Sequence, residues 1–210
     1  MPYPPYMIVA IPWVLGGIAV WLVLSVLIDR SNAQREGLAA VPLAEIALVL
    51  GIAAVGALLA PPLHRLAVGI ALAGMGIAAC GDVRHRYLWE ELSLPTLLAV
   101  LATGAYSAIA QRTLEGTVLL GGIALAIYFV GQLAHRESGF GDVVPTAIIG
   151  AALGPLYGVG AFAISCAVFA IAALLAGKRF GVALPFGPAI LLALFIGAAG
   201  SSWVTFASGR

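Results

Sequence analysis

Cys80-Gly81-Asp82-Val83-Arg84 ends an uncharged run that begins at Leu66, and Gly139-Phe140-Gly141-Asp142 opens another. Runs of this kind decide the fold. They recur at lengths of roughly 17 to 22 residues, about what a helix needs to cross ~30 Å of hydrocarbon, and they lack the period-2 alternation of a barrel strand. The rest of the chain agrees: of 210 residues 62% are hydrophobic and 9% charged, with a mean hydropathy of +1.10, which excludes an ordinary soluble domain. The expected fold class is all-α, a polytopic transmembrane helical bundle forming a single integral membrane domain over 1–210.

Polar or Pro/Gly-rich breaks divide the chain into about eight membrane segments, near 8–28, 43–60, 66–81, 92–110, 116–134, 142–154, 157–176 and 185–206. The sixth is short for a full crossing, so it is expected to tilt, to continue into the seventh or to re-enter. With eight crossings, Arg30, Arg35, Arg84, Arg86, Arg136, Lys178 and Arg179 fall on one side, and Arg65, Arg112 and Arg210 on the other. The positive-inside rule then places the first set, and with it Asp82 and Asp142, in the cytoplasm of a multi-pass inner-membrane protein. The opening Met1-Pro2-Tyr3-Pro4-Pro5-Tyr6 has no basic region before the first apolar segment and suits an interfacial anchor retained in the mature chain.

Two carboxylates at one membrane face point to a shared site, because an ionisable group at the end of an apolar segment is costly without a use. An aspartic protease needs two such groups, one to take a proton from water and one to give a proton to the peptide carbonyl. Asp82 and Asp142 are the candidate catalytic residues. Gly139 and Gly141 are candidate substrate-binding positions, since without Cβ atoms they admit an extended backbone beside the acid. Asp142, Thr146, Gly150, Gly154 and Gly158 recur every four positions, so on one helix they would form a stripe for close helix packing.

These stretches together resemble the type IV prepilin leader peptidases, membrane aspartyl proteases of the Gly-x-Gly-Asp class. Asp82-Val83-Arg84-His85-Arg86 followed by Leu92-Ser93-Leu94-Pro95 is similar to the family's first catalytic segment. Glu137-Ser138-Gly139-Phe140-Gly141-Asp142, with Ala151-Ala152-Leu153-Gly154 beyond it, is similar to the second. Leu184-Pro185-Phe186-Gly187-Pro188-Ala189 looks like the Pro-Phe-Gly-Pro motif that opens the family's last helix. Ser25 to Arg30 and Val41 to Glu45 match the flanks of the first loop more faintly. The resemblance spans roughly 20–190. It implies an endopeptidase that removes the basic leader of prepilin or pseudopilin-like substrates after a glycine, at the cytoplasmic face, with no cofactor.

The chain departs from the family pattern at three places. Only Ser31 to Ala40 stands where long members carry an insertion with two Cys-x-x-Cys pairs, so no metal is expected. Val144 and a helix-perturbing Pro145 follow Asp142, where the family often has a Lys two positions on. Leu88-Trp89-Glu90-Glu91 replaces an Ile-Pro-Asn and adds two acids near the site. Many members also methylate the new N-terminus; no methyl-donor motif is visible here. The alternative readings are a catalytically silent assembly partner of a pilus or secretion system and a proton-coupled transporter whose two acids relay protons.

The remaining polar residues read as structural. His64, His85 and His135 are expected in interfacial loops, and Asp29, Arg30, Arg35, Glu36 and Glu45 on a solvated face of the first loop. Trp13, Trp21, Trp89 and Trp203 are expected at interfaces or against lipid. Cys80 and Cys166 are too far apart in sequence to argue a framework or a metal pair and are read as packing residues. No basic cluster with interleaved aromatics suggests a nucleic-acid partner.

Overall fold

The computed structural model describes residues 5–85, 90–105, 110–133, 140–175 and 186–207. Its seven helices are α1 (Pro5–Glu36), α2 (Leu43–Leu59), α3 (Arg65–His85), α4 (Glu90–Ala105), α5 (Ala110–Leu133), α6 (Val143–Leu175) and α7 (Gly187–Ala207), with short 3-10 turns at Pro62–His64 and Phe140–Asp142. No strand occurs among the described residues, and the fold is all-helical.

α3 lies at the centre because its sequence lets other helices come close. Ala67 to Ala79 are buried without interruption. A Cβ on Gly69 would strike Ile18 of α1, one on Gly74 would strike Thr96 of α4, and one on Gly76 would lie 2.6 Å from Val49 of α2. Such fit matters in a bilayer, where lipid tails are as apolar as leucine and helices associate through close packing. The outer helices carry the opposite pattern. Trp13 is 79% exposed and Leu133 83% exposed, on faces suited to hydrocarbon rather than water. Among the described residues four stretches are, by length and composition, long and apolar enough to cross a membrane: Ile11–Glu36, Pro62–His85, Ala110–Leu133 and Val143–Val168.

The expected division between a sixth and a seventh segment falls inside α6. α6 is two helical arms that meet at Gly154 (φ 76°, ψ 176°), where the backbone leaves the helical conformation. In a straight helix residues eight apart are separated by about 12 Å. Here a Cβ on Gly158 would lie 3.2 Å from the Gly150 Cα, so the chain folds back on itself at Gly154. Glycine tolerates the left-handed φ, and Pro155 starts the second arm where its missing N–H costs nothing. The four-residue stripe is therefore split. Thr146 and Gly150 stay on the first arm, where a Cβ on Gly150 would collide with the Gly116 carbonyl of α5, while Gly158 returns to cover Gly150. Pro145 does not perturb the helix; it is the third residue of α6, within the first turn, where an N–H has no partner to lose.

The first loop is also shorter than hydropathy indicates. α1 continues through 29–36 and stops at Gly37 (φ 68°), where Leu38 N–H donates to the Ala33 carbonyl at 2.7 Å, the bond of a glycine helix stop. Asp29 is not on a solvated face. It is 2% exposed, and its Oδ2 accepts from the Val41 N–H at 2.9 Å. Glu45, at the start of α2, is half-buried and paired with Arg84 of α3. Arg35 reaches Glu91 of α4 at 2.9 Å, an exposed pair that contributes little to stability. Trp21 is half-buried and packs against the core. Trp89 and His135 lie outside the described residues.

Candidate functional site

Asp82 is in the last turn of α3, inside the helix, and only 5% of it is exposed. Burying a carboxylate is costly unless a donor replaces water. The donor comes from another helix: the Gly187 N–H gives a 2.7 Å hydrogen bond to Asp82 Oδ2. Gly187 is the first residue of α7, so this N–H has no partner within its own helix and sits at the positive end of the helix dipole. Only glycine fits there. A Cβ at 187 would lie 2.6 Å from the Ala79 Cα and 3.2 Å from Asp82 Oδ2.

Asp142 closes the 3-10 turn Phe140–Asp142 and directly precedes α6. Its main-chain carbonyl accepts a 2.7 Å bond from Thr146 Oγ1, one turn into the helix. Burial, and after it the charge of Asp82, push the Asp142 carboxyl up to about 6. The structure therefore brings together the two acids that are 60 positions apart in sequence, at the end of the bundle where α3 finishes and α6 and α7 begin. Beside Asp142 lies a cavity of about 360 Å³ walled by Ile127 and Tyr128 of α5, Thr146 and Phe162 of α6, and Phe186. Phe162 and Phe186 meet edge to face, with centroids 6.2 Å apart.

A model of the type IV leader peptidase family matches residues 69–176, from the first turns of α3 to the end of α6. The chain belongs to the type IV leader peptidase family. No curated protein and no solved structure matches it. The leader-peptidase match takes in both acids but stops before Phe186 and Gly187, which the fold nevertheless places against the acids' surroundings.

The other expectations for a leader peptidase resolve unevenly. Gly141 has open space where a Cβ would be, and Gly139 lies outside the described residues. Glu90 and Glu91 are exposed at the start of α4, with Glu91 engaged by Arg35. Cys166 is half-buried on the wall of the cavity beside Asp142. His64 is half-buried, its Nδ1 3.0 Å from the Ala152 carbonyl at the opposite end of α3, beside a larger cavity of about 680 Å³ that also includes Arg112 and Glu115. Among the described residues no three His, Cys, Asp or Glu side chains converge to hold a metal ion. Sequence reading took Pro185-Phe186-Gly187-Pro188 only as a helix opening. A pattern of residue types carries no sign that its glycine N–H reaches an acid 105 positions away.

Proposed function

We propose that the protein is an aspartic endopeptidase that removes the leader of prepilin or pseudopilin-like substrates at the cytoplasmic face of the inner membrane. The observation that carries this is the nearness of two acids, Asp82 buried and Asp142 half-buried, in a member of the leader peptidase family, the second with its carboxyl pushed up to about 6. Two carboxyls of which one is ionised and one holds a proton have the form that water-mediated peptide hydrolysis requires. The ionised acid takes a proton from water as its oxygen attacks the scissile carbonyl carbon, and the other acid protonates the carbonyl oxygen. Collapse returns that proton to the second acid and passes the first to the leaving amine, so the pair ends as it began.

The substrate enters with its junction unwound past Gly139 and Gly141, its backbone beside Asp142. The apolar cavity between α5 and α6 receives a large side chain next to the cleaved bond. The excess of basic residues on the loops that flank the acids supports the cytoplasmic placement.

The test is coexpression with a tagged prepilin from the same genome, with the leader followed by gel shift and N-terminal sequencing. Wild type is expected to cleave, and Asp82→Asn and Asp142→Asn to lose cleavage at normal membrane levels. Cleavage that persists in either variant overturns the two-acid reading.

A further inference from the structure

The backbone of α7 contributes to the site as well as the two acids. We propose that Gly187 is a positioning residue: its N–H fixes the Asp82 carboxylate in orientation and in its ionised form, which makes Asp82 the acceptor of water's proton and Asp142 the donor. This rests on the peptidase reading above for its chemical meaning, but the contact itself does not.

Three observations carry it. The bond is short, 2.7 Å, and made to a carboxylate that is almost wholly removed from solvent. A hydrogen bond to the charged form of a buried acid favours that form. The approach is built in, since the Ala79 and Gly187 backbones come so close that no side chain fits at 187. Phe186, adjacent in sequence, walls the cavity on the Asp142 side, so consecutive residues of one segment serve the two acids differently: an N–H donor for Asp82 and an apolar ring for Asp142. The apolar wall agrees with Asp142 as the partner that keeps a proton. Several charged groups on the neighbouring helices have partners of their own. Arg84 of α3 pairs with Glu45 of α2, Asp29 of α1 accepts from Val41, Arg35 holds Glu91 of α4, and α7 carries no charged residue.

The chain allows a direct reading. Only three Phe-Gly steps occur, at 140–141, 180–181 and 186–187, so labelling Phe at the carbonyl carbon and Gly at the amide nitrogen reduces the NMR spectrum to three amides. In the full protein in nanodiscs, the Gly187 amide proton is expected far downfield and moving with pH, and Asp82→Asn should shift it upfield and abolish the movement. A Gly187 amide that ignores both pH and Asp82→Asn overturns the proposal.

In the cleavage assay Gly187→Ala is expected to lower kcat about 10- to 100-fold with KM little changed, and to displace the acid limb of the pH–rate profile upward, the loss expected for one hydrogen bond to a charged group. An unchanged profile with a raised KM also overturns it. The NMR reading uses the wild-type glycine and so does not depend on Gly187→Ala folding. If wild type cleaves no prepilin while the Gly187 amide still follows Asp82, the peptidase reading fails and the positioning contact stands.

Discussion

The raised Asp142 carboxyl makes a quantitative demand on the pH dependence of cleavage. Its ordinary value is 3.8 and the structure moves it to about 6, burial contributing more than the Asp82 charge. An acid with that value is protonated in about nine-tenths of molecules near pH 5 and in about one-tenth near pH 7. If Asp142 must hold a proton to donate it, cleavage at saturating substrate should fall about tenfold between those points and close to tenfold again by about pH 8. The assay is single-turnover cleavage of a prepilin in nanodiscs, with buffers matched for ionic strength. Because burial is the leading cause, most of the shift should survive in Asp82→Asn, where carbodiimide labelling of Asp142 reports its titration without cleavage. A rate that stays flat or rises from about pH 5 to about pH 8 refutes the reasoning, as does an Asp142 that titrates near 4 in wild type.

The same shift has a stability consequence of defined sign. Between about 4 and 6 the folded protein keeps a proton on Asp142 that the unfolded chain has lost, so stability falls by up to ~3 kcal/mol as pH rises through that window and is level above it. Asp142→Asn should remove this slope; melting curves in detergent that keep it would count against the burial of Asp142. Gly116→Ala drives a methyl into the Gly150 carbonyl oxygen and to 2.9 Å from the Gly154 carbonyl carbon, so α5 and α6 must part by more than about 1 Å to reach an ordinary contact, at ~1–3 kcal/mol. Gly122→Ala on the same helix meets nothing within 4 Å, and thermal melting should separate the two variants clearly. Asp29→Ala leaves the Val41 N–H without its buried acceptor and should cost ~1–3 kcal/mol, whereas Asp29→Asn, which keeps an acceptor, should melt closer to wild type.

Much of this architecture was legible in apolar run length, because a bilayer demands long uninterrupted helices and the chain supplies them. The two acids stood out for the same reason, as charges where hydropathy ends. Legibility failed where polar residues turn inward. Asp29 read as loop, yet it is buried and α1 runs on past it to Glu36, because a carboxylate facing Val41 N–H is satisfied without water. It failed again at Gly154-Pro155. A repeat of four fits one face of a straight helix, but a left-handed φ at Gly154 turns Gly158 back onto Gly150, and periodicity carries no information about that reversal. The Gly187 contact was hidden for a third reason: it is a main-chain bond, and a main-chain donor has no residue-type signature.

Asp82 and Gly187 are separated by 105 positions. At translation rates of about 5–20 residues per second, the α3 acid waits some 5–20 s before the segment that supplies its donor has been synthesised. Until then the nascent bundle can hold α1 to α6 in the bilayer while the Gly187 N–H that meets Asp82 is still to come. Completion of the last helix is thus the step that brings Asp82 its main-chain donor: a chain stopped before α7 has both acids but not the contact that holds the first of them.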